Sequence, residues 1–597
     1  MKELFSKIMF LMDKHDRIKI IFLFILILSG TFFELLGFSS ILPFLYVVSK
    51  PEFIKENIYL SKFYNFISPG SVNEFLVWLG LIIILIFILK NSYLFFIQYS
   101  IVKFSTNTHQ KLASRLFRCY LYSPYSFHLQ RNTAQLLRNI GLIQSIITGI
   151  LLSLVNIITD LLLIISIFIL LLIVDVYSSF IVFSFIGLVS FIYFSIFKRK
   201  LSRFGEEQKH HNEVLIKQFN QGLGSIKEAK ILGREDYFDK SYSYHLQGLN
   251  RISKWQQSIG VLPHFIIETL MVTLILFIMF SAIFRGHEIS TILISLSFFG
   301  LAAVRLMPSI NKINSSVNLI RFYIPSLKEV YSDLKMSESF ACTIPVLKTG
   351  SDIIFHKELE LKQIYFSYDE TNKLVLEDIN LKIAKNSTVG FVGKSGAGKT
   401  TTVDIILGLL DPNSGKVLVD GLDVHENIRS WQSKAGYIPQ QIYLMDDTIT
   451  ANIAFGVPEN EVDLNKIYKA VSLAQLDEFV NQLPGGLNSI IGESGVRVSG
   501  GQRQRIGIAR ALYNDPELLI MDEATAALDN ETEKAFMEAI DALSGKRTII
   551  IIAHRLTTVA NVDKIFFLKD GKLIESGNFN ELHNKSTEFK MMAGNWK

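Results

Sequence analysis

Gly393-Lys394-Ser395-Gly396-Ala397-Gly398-Lys399-Thr400 is the stretch on which the fold of this chain turns. It follows an apolar, β-branched run, Thr388–Val392, and opens a helical pattern over 401–410. Gly393, Gly396 and Gly398 let successive backbone N–H groups, with Ser395 among them, turn toward an anion, and the helix start behind them adds favourable potential. A strand, a glycine loop and a helix in that order is the setting a phosphate-binding loop needs. Lys399 is expected to reach the β- and γ-phosphates of ATP and the Thr400 hydroxyl to ligate Mg²⁺, with Thr401 completing the nucleotide-binding set.

Working outward, the apolar run 518–521 delivers Asp522 and Glu523 to a strand end. Two carboxylates there could simply cap a helix. Beside a phosphate loop they read as a pair: Asp522 holds Mg²⁺ through its water shell, and Glu523 polarises the attacking water. Ser499-Gly500-Gly501-Gln502 offers a hydroxyl and bare amides at a helix start, Gln440 sits in Ile438-Pro439-Gln440-Gln441, and His554 follows the apolar run 548–553. From about residue 354, β-branched runs alternate with helical patterns and glycine turns, the signature of an α/β domain with a largely parallel sheet.

The other half is unlike this one. Of 597 residues, 49% are hydrophobic, 19% are charged and 46 are Phe, too apolar a mixture for a chain solvated by water alone. Six apolar regions account for it: 20–49 (broken only by Glu34), 75–89, 143–174 (broken by Asp160), 176–197, 269–284 and 289–304. Each is long enough, with its flanks, to cross a hydrocarbon core, and the first is too long for a removable signal peptide. The connections 98–142 and 198–254 carry 6 and 12 Lys or Arg, whereas 49–74 and 285–288 carry 3 and 1. That bias places both termini and both long loops in the cytoplasm, and it explains the net charge of +5 without nucleic acid. Two cysteines, Cys119 and Cys342, exclude a disulfide-stapled secreted protein.

Residues 107–121 and 204–232 have helical periodicity, so the long loops read as cytoplasmic extensions of the spans, with turns at 123–133 and 221–233. Residues 51–67 read as an amphipathic helix on the outer face. The expected domains are 1–330, a linker 331–352 and 353–597.

The motif order over 355–590 resembles the ATP-binding cassette (ABC) superfamily. The resemblance implies an α-helical polytopic membrane domain with six transmembrane helices, of the type I exporter kind, fused to an α/β P-loop NTPase domain of ABC type. It implies that Ser499, Gly500, Gly501 and Gln502 contact the γ-phosphate of ATP held by a second copy of the chain, so that the working unit is a homodimer. It also implies that Gln440 senses Mg²⁺ and the attacking water, that His554 contacts the γ-phosphate, that Tyr368 stacks on adenine and that Asp529 links the two ATP sites. Val498 stands where the family has Leu, and Ala526 where it has Ser. Glu523 and His554 are both present, so two hydrolysis-competent sites are expected.

Charges within or beside spans, Glu34, Asp160, Glu268 and Arg305, bear on the substrate. Arg305, in Arg305-Leu306-Met307-Pro308-Ser309, reads either as the binder of an anionic headgroup or as a brace paired with Glu268 or another acid. The segment after span one, its Pro43-Phe44 ending and the Arg305 run resemble bacterial lipid-linked oligosaccharide flippases. This implies export of a polyprenyl-pyrophosphate-linked glycan across the bacterial cytoplasmic membrane. A multidrug or lipid A-type exporter is the alternative, with a peptide exporter or an ATP-gated channel behind it.

Overall fold

The computed structural model describes residues 2–594 except 50, 285–288, 342–351, 369–372, 493–497, 524–532, 534–536, 539, 542 and 554–555. It divides into two compact units, 1–123 with 131–344, and 124–130 with 345–597.

The first unit is helical throughout. Its elements are α1 (Lys2–Leu11), α2 (Lys14–Ser39), α3 (Ile41–Ser49), α4 (Phe53–Glu56), α5 (Ile58–Ile67) and α6 (Val72–Tyr122). They continue with α8 (Thr133–Ile146), α9 (Leu152–Val174), α10 (Val176–Gly224), α11 (Ile226–Ile231), α12 (Glu235–Phe284) and α13 (Ile289–Ala341), while α7 (Tyr125–Gln130) belongs to the second unit. Among the described residues, five helical stretches are long and apolar enough to cross a membrane: Lys14–Val48, Val72–Tyr122, Thr133–Ile173, Val176–Gly224 and Glu235–Phe277. The sixth expected span lies at the start of α13. At 49 to 51 residues, α6, α10 and α12 reach about 75 Å at 1.5 Å per residue, more than twice a hydrocarbon core. The surplus forms the helical extensions beyond the spans that the periodicity predicted.

Both expected turns are short helices between breaks. Pro124 follows the end of α6, and the Asn132 side chain caps α8 by accepting from Ala134 N at 2.9 Å. α10 stops at Gly224, and Gly233 (φ +58°) ends the second turn. The segment 51–67 differs from the single amphipathic helix expected. Asn57 interrupts it and caps α5, so two short helices pack Ile54 and Leu60 against Val47 and Phe75. Residues 331–341 also differ from the expected linker: they continue α13, because Asp333 and Leu334 are buried and Val330 before them is fully enclosed.

In the second unit, a six-stranded sheet runs β10-β9-β3-β8-β7-β6 and a four-stranded antiparallel sheet runs β2-β1-β4-β5. The strands are β1 (Glu358–Phe366), β2 (Leu376–Ala384), β3 (Thr388–Val392), β4 (Ser414–Val419), β5 (Leu422–Asp423), β6 (Ala435–Ile438), β7 (Leu518–Asp522), β8 (Thr548–Ile552), β9 (Lys564–Lys569) and β10 (Lys572–Gly577). β9, β3, β8, β7 and β6 are mutually parallel. β3, β7 and β8 are buried on both faces, which is why they read as unbroken apolar runs. Alternate residues feed two cores: Leu519, Met521, Ile549 and Ile551 face one, and Leu518, Ile520, Ile550 and Ile552 the other.

Candidate nucleotide site and membrane-embedded charges

Among the described residues, the phosphate loop, Gln440 and Glu523 leave the same end of the parallel sheet. The phosphate loop follows β3, Gln440 comes two residues after β6, and Glu523 follows β7. Ligands in open α/β sheets bind at the carboxyl ends of strands, where loops converge.

The loop has the backbone its glycines predict. Gly396 has φ +80° and Gly398 φ +98°, and a Cβ on Gly398 would meet Leu376 Cδ2 at 2.5 Å. The following helix, α14 (Lys399–Ile406), starts two residues earlier than the 401–410 pattern and ends sooner, because Gly408 turns the chain at φ +64°. Lys394, Ser395, Gly396 and Thr400 are exposed, while Lys399 is 5% exposed. Its ammonium donates to Gly393 O at 2.8 Å and Lys394 O at 3.2 Å. Burial holds the Lys399 amine below its ordinary pKa, against the pull of Glu523 and Asp522. A buried cation folded on its own loop's carbonyls, beneath exposed amides, fits a triphosphate.

Asp522 ends β7 at 6% exposure and accepts from Tyr437 Oη at 3.4 Å. Burial, with Asp522 adding to it, pushes the Tyr437 hydroxyl above its ordinary pKa. Glu523 adopts φ +50°, a left-handed backbone that costs a non-glycine residue about 1–2 kcal/mol. Its N–H reaches Ile552 O at 3.2 Å, and Gln440 Nε2 donates to its Oε2 at 2.6 Å. Two residues 83 positions apart in sequence thus meet side chain to side chain.

Tyr368 Oη lies 2.9 Å from Thr401 Oγ1, and its ring stands edge-on to Phe366 at 4.9 Å. Beside it, within the second unit, opens a cavity of about 510 Å³ that Asp411, Asn413 and Ser126 also line. Ser499 caps the helix Gly500–Leu512 in a reciprocal box: its hydroxyl accepts from Gln502 N at 3.2 Å, and its N–H donates to Gln502 Oε1 at 2.9 Å. Ser499 and Gln502 thus satisfy each other across the first turn, with Gly500 and Gly501 between them. His554 and Asp529 lie outside the described residues.

Sequence reasoning missed Asp404. It is buried on α14, and desolvation, reinforced by the Asp522 charge, raises its carboxyl to about 6. An acid among the apolar residues after the phosphate loop was the available signal.

In the first unit, Arg305 on α13 pairs with Glu34 on α2, and not with Glu268. Glu268 lies 3.9 Å from His264 Nε2, whose Nδ1 is 2.8 Å from Asn311 Nδ2, and Asp160 faces Lys312 Nζ at 3.7 Å. Glu34 and Arg305 line a cavity of about 160 Å³ with Thr31, Ser166 and Lys90. Lys90, which also escaped the sequence reading, has its ammonium 4.2 Å from the Phe87 ring centroid. Its signal was a lone cation closing an apolar run at 75–89.

A helical membrane unit and a P-loop ATPase unit on one chain define a class, the ATP-driven exporters. Residues 376–526 match the ABC transporter family and residues 18–306 the ABC transporter transmembrane region. The ATP-dependent lipid A-core flippase of Pectobacterium atrosepticum is 30% identical over 85% of this chain and 86% of its own length. Multidrug resistance protein 1 of Entamoeba histolytica is 35% identical over 60% of this chain, and the match spans only 29% of that longer protein. The solved structure of a bacterial Atm1-family ABC exporter with ATP bound has the same fold, with TM-score 0.76 and 21% identity over 98% of this chain and 99% of that one. The chain belongs to the ABC transporters as an exporter half-transporter, whose nucleotide domain hydrolyses ATP in support of transport.

Proposed function

We propose that two copies of this chain flip an amphipathic lipid with an anionic headgroup across the bacterial cytoplasmic membrane, most specifically a polyprenyl-pyrophosphate-linked oligosaccharide. The observation that carries this is the membrane cavity, where Arg305 and Lys90 are matched by the single carboxylate of Glu34. Two cations and one acid suit a phosphate-bearing headgroup, and an arginine fork grips phosphate oxygens in pairs. Glu34 then serves as the counter-ion that Arg305 releases when a headgroup arrives. The name of the lipid A-core flippase relative supports a lipid cargo. That of the multidrug resistance relative supports the rival reading of an apolar drug.

In the ATP site, Lys399 exchanges its loop carbonyls for the β- and γ-phosphates, and Tyr368 stacks on adenine. Glu523 accepts a proton from the water that Gln440 helps to orient, and attack on the γ-phosphorus breaks the bond to the β-phosphate oxygen. Mg²⁺, held by Thr400 and through water by Asp522, would neutralise charge on the phosphates. Ser499 to Gln502 of one copy complete the site of the other, with His554 on the γ-phosphate and Asp529 joining the two sites. The turns at α7 and α11 carry the motion to the spans, and both termini and the nucleotide domains face the cytoplasm.

Measuring ATPase activity in nanodiscs against a panel of ligands tests the cargo. Polyprenyl-pyrophosphate glycan should stimulate more than lipid A or apolar drugs do. Stimulation by varied drugs and none by the glycolipid would replace this reading with the multidrug one.

A further inference from the structure

In the cytoplasmic extensions, α13 carries two buried carboxylates one turn apart, and different helices serve them. Asp333, with a 2% exposed side chain, accepts from Tyr120 Oη of α6 at 2.9 Å and from Asn139 Nδ2 of α8 at 2.7 Å, with Arg131 Nη2 at 3.6 Å. Glu329 pairs with Arg138 of α8 and with Lys209 Nζ of α10 at 3.0 Å. Arg138 also donates to Glu213 Oε2 of α10 at 2.7 Å. Lys209 and Glu213 are four residues apart and so share one helix face. His211 between them turns to α12, with its Nδ1 3.0 Å from Nδ1 of His245. Gly248 of α12 makes room for that ring, since a Cβ there would meet it at 2.4 Å. At this level α10 and α12 are fastened together, and the pair meets α8 and α13 through ion pairs.

We infer that these ion pairs form a releasable latch on the α10–α12 hairpin, while the Asp333 cluster is a permanent clasp of α6, α8 and α13. Opening the clasp would strand a carboxylate with almost no access to water, a large penalty. Releasing α10 frees Lys209 and Glu213, whose side chains are already 35% and 48% exposed, and leaves Arg138 paired with Glu329. Each α10 pair joins a partly exposed member to an enclosed one, and the enclosed Arg138 and Glu329 keep each other when α10 leaves, so a swing of the hairpin can hand Lys209 and Glu213 to water. The latch rests on the export reading for its place in a transport cycle, but it does not depend on the cargo.

The test uses the full chain in nanodiscs, with Cys119→Ser and Cys342→Ser, and spin labels introduced as Leu137→Cys on α8 and Glu206→Cys on α10, both exposed positions. Without nucleotide, the latched protein should give one dominant distance. Lys209→Gln with Glu213→Gln should shift the ratio of closed to open populations by about tenfold, and Lys209→Arg with Glu213→Asp should restore it. The melting temperature and the KM for ATP should stay as in the parent, because the clasp and the ATP site are untouched. An unchanged distance distribution in the Gln pair, or a loss of melting temperature that the conservative pair does not recover, overturns the latch. Failure of glycolipid stimulation leaves it standing, so the two proposals fail separately.

Discussion

The nucleotide domain and the membrane unit solve opposite problems with charge. In the first, buried ionisable groups are concentrated: Lys399, Asp404 and Asp522 lie close enough beside the phosphate loop for the Asp522 charge to act on both of the others. In the second, charges are dispersed and paired helix to helix, Arg305 with Glu34, Lys312 with Asp160, Arg138 with Glu213 and Glu329. The difference teaches that the ATP site is built to hold charge ready for a ligand, whereas the membrane unit uses charge to set how its helices stand until a ligand or a motion displaces a partner.

The comparison breaks most easily at Glu523. Glu523→Gln should keep the hydrogen bond with Gln440 yet lose the base, lowering ATPase activity by about 10²–10³-fold with nucleotide binding intact. Wild-type turnover in that variant, measured by phosphate release, would remove Glu523 from its role. Next is a test of packing in the membrane unit. Gly205 of α10 lies against α13, where a Cβ would come 2.1 Å from Phe322 O. Gly205→Ala should therefore cost about 1–3 kcal/mol, read as a lowered melting temperature in detergent, with the ATP site unaffected.

Asp404 sharpens the contrast through pH. Its carboxyl, raised to about 6 from the ordinary 3.8, holds a proton more tightly folded than unfolded. That preference stabilises the fold below pH 3.8, fades as pH rises from 3.8 to 6, and leaves the charged group a burden above 6. Asp404→Asn should stabilise the nucleotide-free protein at pH 7.5 by about 2 kcal/mol, and the advantage should vanish toward pH 4. Denaturation midpoints across that range check the sign. The smallest effect is expected at Arg305. Arg305→Ala should leave basal ATPase activity near the parent's while lowering glycolipid-stimulated turnover about tenfold, a 1.4 kcal/mol loss.

What could be read in the sequence follows the same division. Phosphate chemistry fixes residue types at fixed spacings, so the loop at 393–400 and the run ending in Asp522 and Glu523 stand out by themselves, whereas Gln440, which bonds Glu523 at 2.6 Å, is singled out only by the family resemblance. Helix patterning gave the spans, the extensions and both turns. Pairings across the bundle left no such trace. Arg305 and Glu34 are 271 positions apart, and nothing in either neighbourhood selects the other over Glu268. Lys90 and Arg138 stand in the sequence as one span-edge and one loop cation, and their roles come from tertiary placement. The helical run through 331–341 was hidden by its polarity, which is spent on partners such as Tyr120 and Asn139. The break at Asn57 shows the reverse: a capping residue visible in the sequence was outweighed by the apolar pattern around it.

The most direct test of the account is ATP-driven translocation itself. Proteoliposomes holding the wild-type chain and a radiolabelled polyprenyl-pyrophosphate oligosaccharide would be probed with an impermeant glycan-modifying enzyme. With ATP and Mg²⁺ added outside, where outward-oriented nucleotide domains can bind them, labelled glycan should move from the accessible to the protected leaflet, and Glu523→Gln protein should leave it in place. Equal accessibility with and without ATP, while the same liposomes hydrolyse ATP and move a drug or lipid A, would contradict the account.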